Sequence, residues 1–355
     1  MTNIEKLMQM IPDSNTCSLV SSDINIRYFT GMKKCEGLLV CFSDAAYLMV
    51  DFRYIEKASA NVKDCSVIEM KDRTVVLSEL LRKHSTASVQ IESDNMTVSE
   101  LNKFRQSFPE VKIDSSNTLS KNISSLRIIK SRQEADNIKT AQKIAEETFD
   151  YILGILTEGM TEQEIAQQMD YRMKSQGAED ISFDTIVLTG KNTSMPHGEP
   201  GSTKLMKNQF LLMDYGAVVN GCHSDMTRTV YFGTPDEEEK RAYNTVLQAQ
   251  LTALECLVPG IRCNELDSAA RKYIDSHGYK GTFGHSLGHG VGYEIHEAPV
   301  VSQRCSDVLE EGMVITIEPG IYIPGTFGIR IEDMAYITND SYENLTHVPK
   351  HLIQI

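Results

Sequence analysis

The stretch DYGAVVNGCHSDMTRT, which begins at Asp214, constrains the fold more than any other part of the chain. Two apolar runs flank Asn220-Gly221, and this dipeptide favours a two-residue hairpin turn because both central positions of that turn require positive φ. Counting outward from the turn places Asp214 opposite Thr227. Because side chains along a strand alternate between two faces, Asp225 shares a face with Thr227, and Asp214 lies diagonally across from Asp225 on it.

Two carboxylates therefore converge on one spot of this predicted hairpin. Like charges at such a distance repel each other or force one group to become protonated, unless a cation lies between them. Oxygen ligands of this kind favour a hard or borderline divalent metal ion. An ordinary hairpin with two solvated aspartates is the alternative, and the hairpin alone does not decide between the two.

The chain ends with a second pair of predicted strands, MVITIEPGIYI and GIRIEDMAYIT, joined by PGTFG. If PGTFG is a five-residue loop, Tyr322 lies opposite Arg330 and Glu318 lies opposite Met334. Glu332 is then diagonal to Glu318, on the face that Tyr322 and Arg330 also share. The sequence thus predicts two hairpins that each present a diagonal pair of carboxylates.

Burying four carboxylates in apolar strands costs too much free energy unless cations compensate. A pair of divalent metal ions supplies the charge, and four carboxylates with one histidine suit manganese, cobalt or iron better than a structural zinc ion. Histidines are available, since His285, His289 and His296 lie in one glycine-rich segment and His197 follows Pro196. A phosphate-binding loop is the alternative for that segment, but it has neither the lysine nor the helix start of such loops.

The length of 355 residues and the hydrophobic content of 41% predict two domains rather than one. Residues 1–123 alternate short apolar runs with helical segments, as in a small α/β domain. In that domain CSLVSS, GLLVCF, AAYLMVD and ASVQIES predict strands, and RYIEKASANV and TVVLSELLRKH predict helices. A polar stretch, SSNTLSKNISS, then leads into residues at helical spacing, so the second domain is expected over residues 124–355. Within it, Thr161 and Glu164 form a capping-box pattern.

The net charge of −14 argues against nucleic acid as a partner, because a protein that binds the phosphate backbone needs a basic face. No apolar run approaches the roughly 18 residues of a transmembrane helix. The N-terminus MTNIEKLMQM has no signal-peptide core. We therefore expect a soluble, cytoplasmic protein without a membrane partner.

Taken together, DYGAVVNGCHSDMTRT, HSLGHGVGYEIHEAP, ITIEPGIYIPG and RIED resemble the signatures of pita-bread metallopeptidases, in particular the Xaa-Pro peptidases prolidase and bacterial aminopeptidase P. The resemblance covers most of residues 125–355, and the first domain with its VDFRY resembles the creatinase-type N-terminal domain of those enzymes. It implies an α/β N-terminal domain over residues 1–123 and an α+β pita-bread catalytic domain over residues 124–355.

The resemblance also implies roles for individual residues. The positions that match the ligands of the family's dinuclear metal centre are Asp214, Asp225, His289, Glu318 and Glu332. The positions that match catalytic residues are His197, His296, Glu318, Tyr322 and Arg330, and those that match substrate contacts are His197, His285 and His296. Glu318 matches the residue that accepts a proton from the attacking water, and Tyr322 and Arg330 match the pair beside a metal-bound aspartate. Two divalent ions are expected, with manganese favoured and cobalt, zinc and iron as alternatives.

The activity implied by the resemblance is removal of the residue before a penultimate proline, by an enzyme that is expected to be a homodimer. Several prolidases that resemble this chain carry an arginine, four residues after the position of His296, that clamps the free carboxylate of a dipeptide. Val300 occupies that position here, and Arg304 lies further along the chain, so an aminopeptidase acting on longer peptides is favoured over an Xaa-Pro dipeptidase. A non-catalytic scaffold and a creatinase-like amidinohydrolase are remoter alternatives, because proteins of both kinds are expected to lack these five ligands.

Overall fold

A six-stranded sheet forms the centre of Met1–Arg127, the first of two units into which the chain divides. A computed structural model describes the chain over residues 1–355. The strands of this sheet are β1 (Thr16–Val20), β2 (Gly37–Cys41), β3 (Ala46–Val50), β4 (Ser66–Glu69), β5 (Ser88–Ile91) and β6 (Lys112–Asp114). The accompanying helices are α1 (Asn3–Gln9), α2 (Asp23–Thr30), α3 (Ile55–Asn61), α4 (Arg73–Lys83), α5 (Val98–Ser107) and α6 (Thr118–Ile128).

The strand order of this sheet is β4-β3-β2-β1-β5-β6. The pairs β1/β2 and β2/β3 are antiparallel, whereas β3/β4, β1/β5 and β5/β6 are parallel. Helices connect the parallel strands, as the α/β prediction requires. The four strands and two helices predicted for this region are confirmed as β1, β2, β3, β5, α3 and α4. The edge strands β4 and β6 are too short to give a clear pattern in the sequence.

The polar stretch SSNTLSKNISS is part of a helix and not an irregular connection. It contributes most of α6, in which the buried residues Leu119, Ile123 and Arg127 recur at helical spacing. The boundary predicted at residue 124 therefore falls within a helix, and the second unit is Ile128–Ile355. The residues at helical spacing that follow belong to a separate helix, α7 (Arg132–Ile155).

The unit Ile128–Ile355 combines four long helices with several short strands. Besides α7, its helical elements are α8 (Glu162–Ser175), the 3₁₀ helix Gly190–Ser194, α9 (Glu237–Cys256), α10 (Cys263–Ile274) and the π-helical turn Asp275–Tyr279. Its strands are β7 (Asp180–Ile181), β8 (Ile186–Thr189), β9 (Gln209–Tyr215), β10 (Ala217–Val219), β11 (Cys222–His223), β12 (Met226–Phe232), β13 (Gly288–Gly290), β14 (Glu297–Val301), β15 (Val314–Ile317), β16 (Gly320–Ile323), β17 (Phe327–Arg330), β18 (Asp333–Ile337) and β19 (Tyr342–Asn344). None of the helices is long and apolar enough to cross a membrane.

Local sequence signals set the beginnings of α7 and α8. At the start of α8, Thr161 accepts from the N–H of Glu164 and the Glu164 carboxylate accepts from the N–H of Thr161, which confirms the predicted capping box. Ser131 and Glu134 form the same arrangement at the start of α7. Each cap satisfies backbone N–H groups that have no partner inside the helix.

The strands of this unit form four sheets. Their orders are β11-β10-β7, β12-β9-β8, β14-β13-β15-β18-β19 and β16-β17. Helices α7 and α8 contribute to the core that covers the first two sheets, through residues such as Ile144, Phe149 and Met169. Helices α9 and α10 contribute to the core under the last two, through residues such as Val246, Leu266 and Ile274. The two halves of the unit therefore share a plan in which two helices cover a hairpin.

The first hairpin has the turn and the register that its sequence predicts. Asn220 and Gly221 have φ of 50° and 82°, as a two-residue primed turn requires, and Val219 pairs with Cys222. Farther from the turn, Thr227 pairs with Asp214. The prediction for this hairpin is confirmed, although its strands divide between two sheets.

The second hairpin differs from its predicted register by two residues. Ile323 pairs with Phe327, so the loop is shorter than five residues, and Tyr322 lies opposite Gly328 and not opposite Arg330. Met334 pairs with Thr316 and not with Glu318. Because the shift is even, it leaves every side chain on its predicted face, and the carboxylates still converge.

Each long strand predicted for the second hairpin is interrupted beside a carboxylate. The segment predicted as one strand forms β15 and β16, which are separated by Glu318-Pro319. Proline has no N–H to donate to a ladder, which explains the interruption. The partner segment forms β17 and β18, separated by Ile331-Glu332.

We predict that Gly216→Ala destabilises the protein strongly. A Cβ atom at Gly216, between β9 and β10, would lie 1.8 Å from the carbonyl oxygen of Ser224, so the backbones must separate. A loss on the order of 3 kcal/mol in the free energy of unfolding is expected from such overpacking. Urea unfolding followed by circular dichroism measures it.

Gly154→Ala in α7 is the matched control, because nothing lies within 4 Å of the added Cβ. This change should raise the free energy of unfolding by about 0.5 to 1 kcal/mol, since alanine favours a helix over glycine. Equal stability of the Gly216→Ala variant and the wild type would contradict the close approach of Gly216 to the backbone of Ser224.

Candidate metal centre

A cavity of about 360 Å³ is lined by nine of the ten site residues that the sequence predicts in the second unit. Its walls are formed by Phe183, Ile186, Pro196, His197, Asp214, Asp225, His285, Ser286, Gly288, His289, His296, Val300, Glu318, Arg330 and Glu332. All five predicted metal ligands are among them. Tyr322 lies behind the wall, where its hydroxyl contacts His285 and Arg330.

Three of the four carboxylates lie at interruptions of the two hairpins, and Asp214 lies within β9, one residue before its end. The other positions are the residue before β12 for Asp225, the residue after β15 for Glu318 and the residue before β18 for Glu332. His289 is the central residue of β13, which pairs with β14 and β15. Interrupted strands therefore bring side chains from three distant segments to one cavity.

Asp225, His289 and Glu332 form the tightest group, because one ligand atom from each lies within 4.8 Å of the other two. His289 Nε2 lies 3.5 Å from Asp225 Oδ2 and 3.4 Å from Glu318 Oε1. Its other ring nitrogen, Nδ1, lies 3.1 Å from the carbonyl oxygen of Gly290. A carbonyl only accepts, so Nδ1 carries the proton, and a neutral His289 directs the lone pair of Nε2 at the carboxylates.

The protonation of these groups reflects their burial. Burial lowers the pKa of His289 to about 4, which keeps the imidazole neutral at pH 7. Burial also raises the pKa of Glu318 to about 8. For Asp225 and Glu332, burial and then the neighbouring carboxylates raise the pKa well above its usual range. Without a cation the site thus retains protons that ionised ligands would have to lose.

Arg330 compensates part of this negative charge. Its Nη2 lies 2.5 Å from Asp214 Oδ2, and its Nη1 donates to the Tyr322 hydroxyl at 2.8 Å. Its Nε donates at 3.0 Å to Thr227 Oγ1, which in turn donates to Glu332 Oε2 at 2.6 Å. One guanidinium thus connects a carboxylate of the first hairpin with one of the second.

Two acceptors of the site have no partner within the protein. Asp214 Oδ1 and Glu332 Oε1 are buried and accept no hydrogen bond. Buried acceptors of this kind are rare because an unsatisfied group costs about 1 to 3 kcal/mol. Together with the bare Nε2 of His289, they form a set of oxygen and imidazole donors that fits divalent metal ions.

The three histidines predicted to contact substrate have different surroundings. His296 places its ring against that of His289, with 4.4 Å between the ring centroids. His197 lines the cavity beside Pro196. His285 also reaches the cavity, but its Nε2 lies 2.9 Å from the Tyr322 hydroxyl and its Nδ1 lies 2.9 Å from the carbonyl oxygen of Ser286. Their roles toward substrate stay predictions.

Sequence reasoning missed a buried arginine behind the cavity. Arg228 is 1% exposed and donates to Asp333 at 2.8 Å and to the main-chain carbonyl of Glu332 at 2.5 Å. It also donates to the carbonyl of Val348, near the C-terminus. An arginine within the apolar strand MTRTVYF was the available signal, because a buried charge requires a partner.

Threonine hydroxyls beside the ligands were also missed. Thr227 bridges Arg330 and Glu332, and Thr316 Oγ1 accepts from the backbone N–H of His289 at 3.1 Å and donates to Glu318 Oε1 at 3.2 Å. Thr227 shares a hairpin face with Asp225, so the predicted register contained the information needed to find it.

Comparison with protein families matches both units. Residues 136–339 match the model of metallopeptidase family M24, and residues 13–129 match the creatinase/prolidase N-terminal domain. The chain belongs to metallopeptidase family M24. Its divalent metal ions follow from the family, and the donors described above are suited to hold them.

Relatives of this M24 metallopeptidase resemble it over nearly the whole chain. The peptidase YqhT of Bacillus subtilis is 37% identical over 94% of each chain. An Xaa-Pro dipeptidase from Bacillus anthracis superposes with a TM-score of 0.95 at 33% identity, covering 99% of both chains. An Xaa-Pro aminopeptidase from Thermotoga maritima superposes with a TM-score of 0.92 at 32% identity, covering 99% of this chain and 100% of that one. The predicted pita-bread fold with a creatinase-type N-terminal domain is confirmed.

We predict that Mn²⁺ raises the melting temperature of the M24 metallopeptidase more at about pH 8 than at about pH 6, because metal binding must displace protons. The pKa of Glu318 is higher in the metal-free fold than in the unfolded chain. Its protonated carboxyl therefore stabilises the fold at pH values below the pKa of the unfolded chain, and this contribution is lost as the pH rises to about 8. Metal-loaded protein has lost those protons already. Thermal unfolding with and without Mn²⁺ at both pH values measures the difference.

Glu332→Gln should abolish most of this Mn²⁺-induced stabilisation while preserving the shape of the side chain. Glu343→Gln is the matched control, because Glu343 is exposed and pairs with Lys139 away from the cavity. A pH-independent Mn²⁺ effect, or one that survives in the Glu332→Gln variant, would contradict the assignment of a metal centre to these carboxylates.

Proposed function

We propose that this M24 metallopeptidase is an exopeptidase that hydrolyses the bond between an N-terminal residue and a following proline. The observation that carries the proposal is the single cavity that collects four carboxylates, a neutral histidine and further histidines. The Xaa-Pro peptidases from Bacillus anthracis and Thermotoga maritima support it, because they match the chain over nearly its full length.

The proposed ligands of the two metal ions are Asp214, Asp225, His289, Glu318 and Glu332. Bound divalent ions supply Lewis acidity, which lowers the pKa of water and polarises the scissile carbonyl. The Tyr322 hydroxyl accepts from Arg330. Arg330 also donates to one oxygen of Asp214 and leaves the other oxygen without a partner. We propose manganese as the metal, with cobalt, zinc and iron as alternatives.

Glu318 is the proposed general base. Its carboxylate faces the cavity, and Thr316 donates to one of its oxygens, Oε1, which fixes its orientation. In the metal-free protein burial raises the pKa of Glu318 to about 8, so the carboxylate becomes able to accept a proton from the attacking water only after metal binding has displaced the proton it holds. The proton then passes to the proline nitrogen as the peptide bond breaks.

His197 and His296 are the proposed contacts to the peptide. Both line the cavity, and a neutral or protonated imidazole there can donate to the carbonyl oxygen as negative charge develops on it. Phe183, Ile186 and Val300 give the same cavity an apolar wall. That wall suits apolar side chains and the proline ring, and it limits the access of bulk water.

Whether the enzyme prefers dipeptides or longer peptides depends on whether a basic side chain binds the C-terminal carboxylate of an Xaa-Pro dipeptide. Arg330 is the only lysine or arginine in the cavity wall, and its N–H groups already bind Asp214, Tyr322 and Thr227. Val300 lines the cavity and is 49% exposed. Because no guanidinium stands free for a dipeptide's carboxylate, we favour an aminopeptidase that acts on longer peptides.

An Xaa-Pro dipeptidase is the second candidate. The Bacillus anthracis enzyme, a dipeptidase by name, is at least as similar to this chain as the Thermotoga maritima aminopeptidase. Under either activity we retain as predictions the homodimer, the cytoplasmic location and the absence of nucleic-acid and membrane partners. The role of residues 1–123 as a separate N-terminal domain is part of the same proposal.

We predict that the enzyme with Mn²⁺ or Co²⁺ hydrolyses Ala-Pro-Ala, releasing free alanine, and leaves Ala-Ala-Ala intact. Ala-Pro is assayed on the same preparation, and the released amino acids are separated by liquid chromatography. Faster turnover of the tripeptide supports the aminopeptidase. Turnover of Ala-Pro alone identifies a dipeptidase, and no turnover of either proline peptide would overturn the proposal.

Val300→Arg should shift the preference toward dipeptides. An arginine at this half-exposed position of the cavity wall can pair with the free carboxylate of Ala-Pro. We expect the ratio of kcat/KM for Ala-Pro to that for Ala-Pro-Ala to rise about tenfold, as for one added charged hydrogen bond. Val258→Arg is the control, since Val258 is 46% exposed and does not line the cavity. An unchanged ratio in Val300→Arg would show that position 300 does not meet the substrate's C-terminus.

A further inference from the structure

Arg271 lies outside the cavity and binds the loop that carries His285. It lies on α10, and its Nη1 donates to the carbonyl oxygen of Phe283 at 2.6 Å. Its Nη2 donates to the carbonyl oxygen of His285 at 2.8 Å. The guanidinium also lies over the Phe283 ring, 4.1 Å from its centroid. Arg271 thus holds residues 283–287, which we call the His285 loop, at two carbonyls and one ring.

A buried carboxylate fixes Arg271 in this position. Asp267, one helical turn earlier on α10, is 0% exposed and accepts from Nε and Nη2 of Arg271, each at 2.8 Å. Its Oδ2 also accepts from the backbone N–H of Leu287 at 3.1 Å. The planar fork of an arginine suits such a site, because it binds a carboxylate with two parallel bonds while its remaining N–H groups reach the loop.

The ring of His285 points from this loop to Tyr322. The Tyr322 hydroxyl accepts from Arg330 Nη1, which can only donate, so its own proton is directed to His285 Nε2. The carbonyl of Ser286 accepts from Nδ1 of the same ring. Burial keeps this imidazole neutral, since it lowers the pKa of His285 to about 3. Both ring nitrogens are therefore engaged within the protein.

These contacts form one continuous series from α10 to a predicted metal ligand. Its order is Asp267, Arg271, the His285 loop, the His285 ring, Tyr322, Arg330 and Asp214. Each member has a defined donor or acceptor role. A shift of the His285 loop would release the Tyr322 hydroxyl and with it one of the bonds that orient the Arg330 guanidinium.

We propose that Arg271, braced by Asp267, is a positioning residue that acts through His285 and Tyr322 to hold Arg330 against Asp214. His285 serves this series through its ring nitrogens, in place of the polar substrate contact that the family resemblance implies. The inference rests on the proposed peptidase function for its kinetic consequence. Its structural consequence is measurable in the metal-free protein.

The kinetic test is a double-mutant cycle with Arg271→Lys and Tyr322→Phe, assayed on Ala-Pro-Ala and Ala-Pro. Lysine keeps the charge but cannot bind two carbonyls and a carboxylate together. Arg271→Lys should lower kcat about 10- to 100-fold, as loss of a partner behind a ligand does, with KM changed by less than about twofold. In the Tyr322→Phe background the same substitution should lower kcat by less than about threefold, because the connection is already broken.

Arg262→Lys is the matched control. Arg262 precedes the first residue of α10 and donates to the carbonyl oxygen of Ser306, away from the cavity. It should leave kcat and KM unchanged. If Arg271→Lys does not fold, Asp267→Asn replaces it, since asparagine still accepts from the N–H of Leu287 but loses the charge that braces Arg271.

A second measurement does not depend on activity. In metal-free protein with ¹⁵N-labelled histidine, the ring of His285, assigned by its loss in His285→Gln, should show a single tautomer with the proton on Nδ1. Arg271→Lys should shift these signals or give a mixture of tautomers, and Arg262→Lys should not change them.

Equal kcat losses for Arg271→Lys in both backgrounds, or wild-type His285 signals in that variant, would overturn the inference. Absence of Xaa-Pro turnover by the wild type would instead reject the proposed function. In that event the tautomer of His285 in the Arg271→Lys variant decides whether the positioning role holds.

Discussion

The close approach of four carboxylates inside an apolar framework is the constraint on which the second unit depends. Buried carboxylates of like charge cannot all ionise without compensation, and burial accordingly raises the pKa of Asp225, Glu318 and Glu332. The protein supplies one full positive charge, on Arg330, which contacts Asp214. The rest of the compensation falls to protons or to divalent ions. Features such as the neutral tautomer of His289 and the unpartnered oxygens of Asp214 and Glu332 are consistent with ions.

The two hairpins meet this constraint in the same way. Asp225, Glu318 and Glu332 lie where the strands pass from one sheet to another, outside the regular ladder, whereas Asp214 lies within β9, one residue before its end, and pairs with Ile186 and Thr227. Gly216 permits the close approach in the first hairpin, and Pro319 ends the ladder in the second. Arg228 then holds the segment that carries Glu332, and Arg271 holds the neighbouring loop that carries His285.

Much of the site could be predicted because strands alternate their side chains with a period of two. The turn at Asn220-Gly221 specifies its own register, so the positions of Asp214 and Thr227 followed from counting. The PGTFG loop does not specify its length, and the predicted pairing of Tyr322 with Arg330 was wrong by two residues. The carboxylates still converged because an even shift preserves the face.

Other features depend on contacts that no local pattern records. The helix α6 was missed because its exposed face is rich in serine and asparagine, residues that also favour loops. Arg271 donates to main-chain carbonyls of the His285 loop, and the sequence of neither segment indicates this contact. For Arg228 the sequence indicates that a buried charge needs a partner, but not that the partners include carbonyls close to the C-terminus. Long-range hydrogen bonds to main-chain carbonyls carry no signature in side-chain sequence, so such residues are found only in the folded chain.

The placement of the proposed metal ligands on three distant segments has a consequence for the order of events during folding. The site needs side chains from both hairpins and from β13. It is not assembled until these segments have come together, and such non-local contacts form late in folding. Metal ions are then expected to bind after the rate-limiting step of folding. Interactions that form after this step slow unfolding and leave the folding rate nearly unchanged. In this protein a bound metal would therefore lengthen the lifetime of the native state, and the proposed ligands Asp214, Asp225 and Glu332 would slow unfolding in addition to their proposed role in catalysis.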